Sequence, residues 1–280
     1  MTAIPTRTIA QLSSIELAYQ EVGLGIPLLL IHGFCGSSSY WDRVVPALSQ
    51  AHRVIVPDLR GHGQSSAGAA PCTIDELAED LVQLLDHLNI PQAAVFGHSL
   101  GGYIALAMAE RHPQRLLGLS LIHSTAYPDS AEAKANRDKG IAAISSHGVD
   151  PFVDTLVPKL FAQMNLTVMP EQVDLAKEIG YGTSASGAIH ALHAMRDRPD
   201  RNHVLETFES PMLLLAGEHD QIIPIDRAFS VSRSSIDTVV LEQAGHMSML
   251  ELPEALIDSI AAFMKYFHKT ETFPDSSSSN

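Results

Sequence analysis

The sequence predicts an α/β fold: a doubly wound, mostly parallel sheet of about eight strands, with a block of helices inserted after strand 6. Three observations predict it. Continuous apolar runs such as Pro27-Leu28-Leu29-Leu30-Ile31 have the length and character of strands buried on both faces of a parallel sheet. Segments of helical periodicity separate these runs, as parallel strands require. The alternation breaks once, from about Asp129 to His203, where Gly140, Gly148, Pro158, Pro170, Gly180 and Gly187 punctuate helical stretches and no buried strand is evident. A segment of roughly seventy residues is too long for a structureless loop, so it reads as a helical insertion closing over the carboxyl end of the sheet.

Taken in order, Ile15, Leu17 and Tyr19 alternate along a first strand, and Gly23 and Gly25 then turn the chain. After Leu28 to Ile31, the runs Val54 to Val56, Ala93 to Phe96, Leu117 to Ile122, Met212 to Leu215 and Thr238 to Leu241 supply further strands. Thr73-Ile74-Asp75-Glu76 has the form of a capping box, after which Leu77, Leu81, Leu84, Leu85 and Leu88 fall on one helical face. Pro253 and Glu254 suit the first turn of a last helix, where Leu256, Ile257, Ile260, Phe263, Met264 and Phe267 form an apolar stripe. The predicted division is a core of residues 1–128 and 204–270, a helical cap of residues 129–203, and a serine-rich, disordered tail of residues 271–280.

Composition narrows the function. A net charge of -14 and the absence of a Lys/Arg cluster argue against nucleic acid or an anionic membrane surface as the main partner. The start, Met1 to Arg7, has no signal-peptide apolar stretch, and no run approaches the roughly twenty residues that span a bilayer, so the expected setting is cytoplasmic. Cys35 and Cys72 fall in unrelated loops and read as free thiols. Fourteen histidines raise the question of a metal, but none forms a His-Glu-x-x-His motif, and His190 and His193 read as an ordinary polar pair. No metal and no cofactor are expected.

The chemistry-bearing stretch is Ala93-Ala94-Val95-Phe96-Gly97-His98-Ser99-Leu100-Gly101-Gly102, an apolar strand ending in Gly-x-Ser-x-Gly and running straight into the helical pattern from Tyr103. That pattern sets one serine on a sharp strand-to-helix turn, with glycines where side chains would collide with a strained nucleophile. A serine hydroxyl needs a base to accept its proton and a third group to orient that base. Glu218-His219-Asp220 follows the strand at Leu213 to Leu215, and Gly245-His246 follows the strand at Thr238 to Leu241. Each lies where a doubly wound sheet places reactive groups, at strand carboxyl ends.

With these residues the chain resembles an α/β-hydrolase, and in particular the capped esterase and lactonase branch. The resemblance covers nearly everything outside the cap and tail. It rests on His32-Gly33-Phe34, Asp58 to Ser65, Gly97 to Gly102, the Gly217 to Asp220 turn, and Gly245-His246 followed by Glu251-Leu252-Pro253. It implies Ser99 as nucleophile, His246 as general base and Asp220 as the orienting carboxylate, with Glu218 and Asp226 as nearby rivals for the last role. The Leu100 N–H, at a helix start, suits a developing oxyanion. The resemblance places the second donor at the Phe34 N–H, with His32 and Gly33 shaping that loop. His98 is expected to point away from Ser99, Cys35 to be a passive thiol, and Asp58 to Ser65 to be a structural turn in which Asp58 and Arg60 make local polar contacts.

A cap would supply the pocket roof, and Phe34, Phe152, Leu156, Leu160, Ile189, Leu192 and Met195 are the candidate lining residues. Few aromatics and no arginine clamp point to a small or medium apolar ester or lactone as the partner molecule. A C–C bond hydrolase or a perhydrolase would use the same residues. A ligand receptor with little or no turnover is the reading from a different class, and oligomeric state has no signature in the sequence.

Overall fold

A computed structural model describes residues 7–268. The predicted tail, residues 271–280, and residues 1–6 lie outside the described residues. Eight strands form one sheet: β1 (Thr8–Gln11), β2 (Glu16–Val22), β3 (Ile26–Ile31), β4 (His52–Pro57), β5 (Ala93–His98), β6 (Leu116–Ile122), β7 (Met212–Gly217) and β8 (Ile236–Leu241). Their order is β1-β2-β4-β3-β5-β6-β7-β8; β1 and β2 pair antiparallel, as do β2 and β4, and every other neighbour is parallel. The strand missing from the sequence reading is β1. It is a short edge strand, three of whose four residues are exposed, so it lacks the apolar run that marks the others.

Burial follows the sequence pattern. All six residues of β5 and all six of β7 are buried, the signature of central strands covered on both faces. The helix Ile74–His87 starts with the capping box intact: Glu76 N–H donates to Thr73 Oγ1, and Thr73 N–H donates to Glu76 Oε2. The last helix, Pro253–His268, buries Leu256, Ile260, Phe263, Met264 and Phe267. Phe263 meets Phe96 of β5 edge to face at 5.8 Å, which ties that helix to the middle of the sheet.

Between β6 and β7 the described chain is helical: Ala131–His147, Asp150–Leu156, Asn165–Val168, Pro170–Tyr181, Ala185–Asp197 and Asn202–Thr207. Helicity therefore continues four residues past the predicted boundary at 203. Ala131–His147 packs along Ala185–Asp197. At the base of this block, Arg198 Nη1 lies 2.6 Å from Asp129 Oδ1, and the guanidinium sits 3.9 Å over the Tyr103 ring. Among the described residues, no helix is long and apolar enough to cross a membrane.

Candidate active site

Parallel register brings the carboxyl ends of β3, β5, β6, β7 and β8 to one edge of the sheet. Ile31 pairs with Gly97, His98 with Ile122, Ile122 with Leu215, and Gly217 with Leu241. The loop after each strand therefore opens at the same place, and these loops carry Phe34, Ser99, His123, Asp220 and His246. Strain concentrates there too: Cys35, Ser99, His123 and Gln243 are four of the five non-glycine residues with positive φ among the described residues.

Ser99 adopts φ 52° and ψ -112° between β5 and the helix Leu100–Arg111. The turn closes so tightly that a Cβ on Gly97 would stand 2.2 Å from the Gly101 carbonyl oxygen, and one on Gly101 would stand 2.5 Å from that of Ile31. The two glycines are thus steric requirements of the turn. Ser99 N–H donates to the Ile122 carbonyl at 3.0 Å, and Ser124 Oγ donates to the Ser99 carbonyl at 2.7 Å, so β6 and its following loop hold the turn. Ser99 itself keeps partial exposure while its neighbours are buried.

His246 and Asp220 meet. His246 Nδ1 lies 2.8 Å from Asp220 Oδ2, and Asp220 Oδ1 accepts the Ile222 and Ile223 N–H groups at 2.8 and 3.0 Å. Burial would raise the Asp220 carboxyl, but His246 and His123 outweigh it and hold the group well below the usual carboxylate range. The two rival carboxylates are separated from His246: Glu218 is exposed and accepts the Gln243 N–H, and Asp226 is exposed at the start of a short helix.

The loop after β3 lies against Ser99, since a Cβ on Gly33 would stand 3.2 Å from Ser99 Cβ. Among the described residues, the hydrogen bonds leave the N–H groups of Phe34 and Leu100 unpaired, although both residues are buried. Leu100 is the chain neighbour of Ser99, and Phe34 follows Gly33, which lies against it.

Two histidines enlarge this centre beyond the sequence reading. His98 Nε2 lies 2.8 Å from the His246 carbonyl oxygen, and the rings stand 5.0 Å apart, so His98 braces the His246 loop. His123 Nε2 bonds Ser248 Oγ at 2.7 Å, and its Nδ1 faces Asp220 Oδ2 at 3.5 Å. Burial, then neighbouring histidines, pushes His98 well below its ordinary value, and burial also lowers His123. Both are therefore neutral braces near neutral pH. Nothing in the sequence around Ile122-His123-Ser124 distinguishes it from an ordinary strand end.

The remaining expectations resolve locally. Asp58 accepts the Ser38 and Gln64 N–H groups at 2.7 and 2.9 Å, as befits a structural turn, but Arg60 reaches away to a bidentate pair with Asp80. Cys35 is a buried free cysteine, and burial pushes its thiol up, away from the thiolate form. Of the candidate lining residues, Phe152 meets the Phe34 ring edge to face at 5.9 Å, and Leu160 accepts the His246 N–H through its carbonyl at 2.7 Å. Leu192 lies toward Gly140 in the helix pair, Met195 is buried, and Leu156 and Ile189 are partly buried against the core. Among the described residues no group of three His, Cys, Asp or Glu side chains is arranged to hold a metal ion.

The geometry agrees with what the chain matches. Residues 26–253 fit the model of the alpha/beta hydrolase fold family, and the chain belongs to that family. It is 33% identical over 247 residues to a dihydrolipoyllysine-residue acetyltransferase component of the acetoin cleaving system of Pseudomonas putida, a match covering 86% of this chain and 64% of the relative. The chain thus spans under two thirds of that protein. It is 29% identical to 3-oxoadipate enol-lactonase 2 of Acinetobacter baylyi, with 86% and 90% of the two chains covered. A thermophilic esterase from Thermogutta terrifontis superposes with a TM-score of 0.89 at 31% identity, covering 94% of this chain and 99% of that one. Family and neighbours together support a hydrolase.

Proposed function

We propose that this protein is a serine hydrolase that cleaves carboxylic esters of small to medium apolar substrates through an acyl-enzyme. The observation that carries the reading is the Asp220–His246 hydrogen bond at the sheet edge where Ser99 sits on its strained turn. Asp220, ionised and accepting from Nδ1, leaves Nε2 of His246 free of a proton and able to take the one from Ser99 Oγ. The Ser99 oxygen attacks the ester carbonyl, and the Phe34 and Leu100 N–H groups hold the oxyanion. Collapse breaks the bond to the alkoxy group, which leaves with the proton from His246. Water then adds to the acyl-enzyme with His246 again as base, releasing the acid and restoring Ser99. No step calls for a metal or cofactor.

The helices between β6 and β7 serve as the cap in this reading, with Phe34 and Phe152 forming one wall of the acyl pocket. Lactones are a second substrate class, favoured by the likeness to an enol-lactonase; the same steps then open a ring, and the leaving alkoxide stays attached to the acyl group. The test is hydrolysis of p-nitrophenyl esters of increasing acyl length and of a lactone series, with Ser99→Ala as control. Turnover of esters or lactones that vanishes in Ser99→Ala supports the proposal. Turnover that persists in that variant, or binding of the panel unaccompanied by any hydrolysis, contradicts it.

A further inference from the structure

Glu251 sits in the short helix Ser248–Glu251, five residues beyond His246, and is 2% exposed. A carboxylate removed from water to that degree needs several donors around it. Its donors come from two separate parts of the molecule. Oε2 accepts the N–H groups of Gly245 and Met247, the residues on either side of His246, at 2.9 and 3.1 Å. Oε1 accepts the Ala162 N–H and an Asn165 Nδ2–H, both at 2.8 Å, from the stretch that leads into and opens the helix Asn165–Val168 in the block between β6 and β7.

The two parts also touch directly. His246 N–H donates to the Leu160 carbonyl at 2.7 Å, and Asn165 Nδ2 also reaches the Gln243 carbonyl at 3.1 Å. The backbones run so close that a Cβ on Gly245 would stand 2.3 Å from the Ala162 nitrogen. Neither segment forms a regular ladder with the other, so the carboxylate and the Asn165 amide supply most of the polar connection.

We infer that Glu251 is a positioning residue, which clamps residues 160–165 of the helical block onto the His246 loop and so sets the base and the adjoining pocket wall together. The inference rests on the proposed roles of Ser99 and His246. A carboxylate is suited to this task because both its oxygens accept and neither donates. Glutamine would turn an NH2 toward one pair of N–H donors, losing two hydrogen bonds and adding a repulsion. Asn165 is the opposite jaw of the clamp, and its loss frees only the helical side. A base displaced by about 1 Å costs on the order of a hundredfold in rate, whereas general binding of a small ester is little affected.

The test compares wild type, Glu251→Gln, Asn165→Ala and Ser99→Ala on p-nitrophenyl acetate and longer acyl esters. The rate of Ser99 phosphonylation by a p-nitrophenyl phosphonate is also measured, normalised to folded protein. We expect Glu251→Gln to lower kcat and the phosphonylation rate in parallel, by about tenfold to a hundredfold, with KM for the acetate within about twofold. Asn165→Ala is expected to lower kcat by about threefold and to alter the preference among acyl lengths. Folded Glu251→Gln that is phosphonylated at the wild-type rate would overturn the inference. If Glu251→Gln does not fold, Asn165→Ala decides: wild-type kcat with an unaltered acyl-length profile overturns the clamp. Activity surviving in Ser99→Ala would instead defeat the serine mechanism, so the two failures are distinguishable.

Discussion

The carboxyl edge of the sheet and the helical block above it are built differently. At the edge, Ser99 and Asp220 follow β5 and β7, all of whose residues are buried, while His246 follows β8, which buries only its two ends; backbone hydrogen bonds tie Ser99 and His123 to neighbouring strands. In the block, the long helix Ala131–His147 buries only Gly140 and Ile144 of its seventeen residues. It gains its place by packing against Ala185–Asp197 and Asp150–Leu156 and through polar ties such as Arg137–Asp129 and Arg196–Asp138. Under the proposed function, bond breaking falls to the buried edge, where small displacements cost rate, and substrate selection to the block whose helices are less buried.

The largest expected effect lies at the edge. Ser99→Ala and His246→Ala should each lower kcat/KM on a p-nitrophenyl ester by about four orders of magnitude, and the double variant should be no worse than either single one. Additive losses would show that the two side chains do not act as a unit. Asp220→Asn should cost about a thousandfold or more by letting His246 adopt the wrong tautomer, whereas Glu218→Gln should stay within about twofold in the same assay. A large loss in Glu218→Gln with a small one in Asp220→Asn would reverse the assignment of the two carboxylates.

Acid should reach the edge through its buried histidines. His98 and His123 are lowered, as are His62 and, to about 3, His32, chiefly by burial. The unfolded chain therefore binds protons near pH 6.5 that the folded chain refuses. Their contribution is complete above that pH and is lost as pH falls toward the folded values. Asp220, also depressed, adds a loss in the same direction below about pH 4. Urea midpoints taken between pH 7.5 and 5 should fall steeply, and a flat profile would contradict neutral burial of these rings. The smallest effect belongs to the helical block: Phe152→Ala should shift KM for longer acyl chains by up to about tenfold while leaving acetate turnover near wild type.

How much of this was legible depended on the same distinction. Central strands of a parallel sheet are continuous apolar runs, and the Gly97-His98-Ser99-Leu100-Gly101 turn carries its own steric signature, so strands and elbow could be read directly. Asp220, Glu218 and Asp226 could not be separated by spacing alone; burial and the bond to His246 separate them. His123, Asn165 and the far side of the clamp at Glu251 escaped because each contact spans roughly eighty to a hundred residues or more, and no local pattern encodes it. The helical block was recognisable from its punctuation. Its inward faces were not, because short helices with mixed burial show little periodicity.

The central claim is that an ester's acyl group passes to Ser99 at the edge of the sheet. Rapid quenching of the enzyme during turnover of a p-nitrophenyl ester, followed by peptide mass mapping, tests it directly. A burst of p-nitrophenol and a single acyl adduct on the peptide containing Ser99, absent from Ser99→Ala, are the expected result. An adduct on another residue, or steady turnover by Ser99→Ala at the wild-type rate, would contradict it.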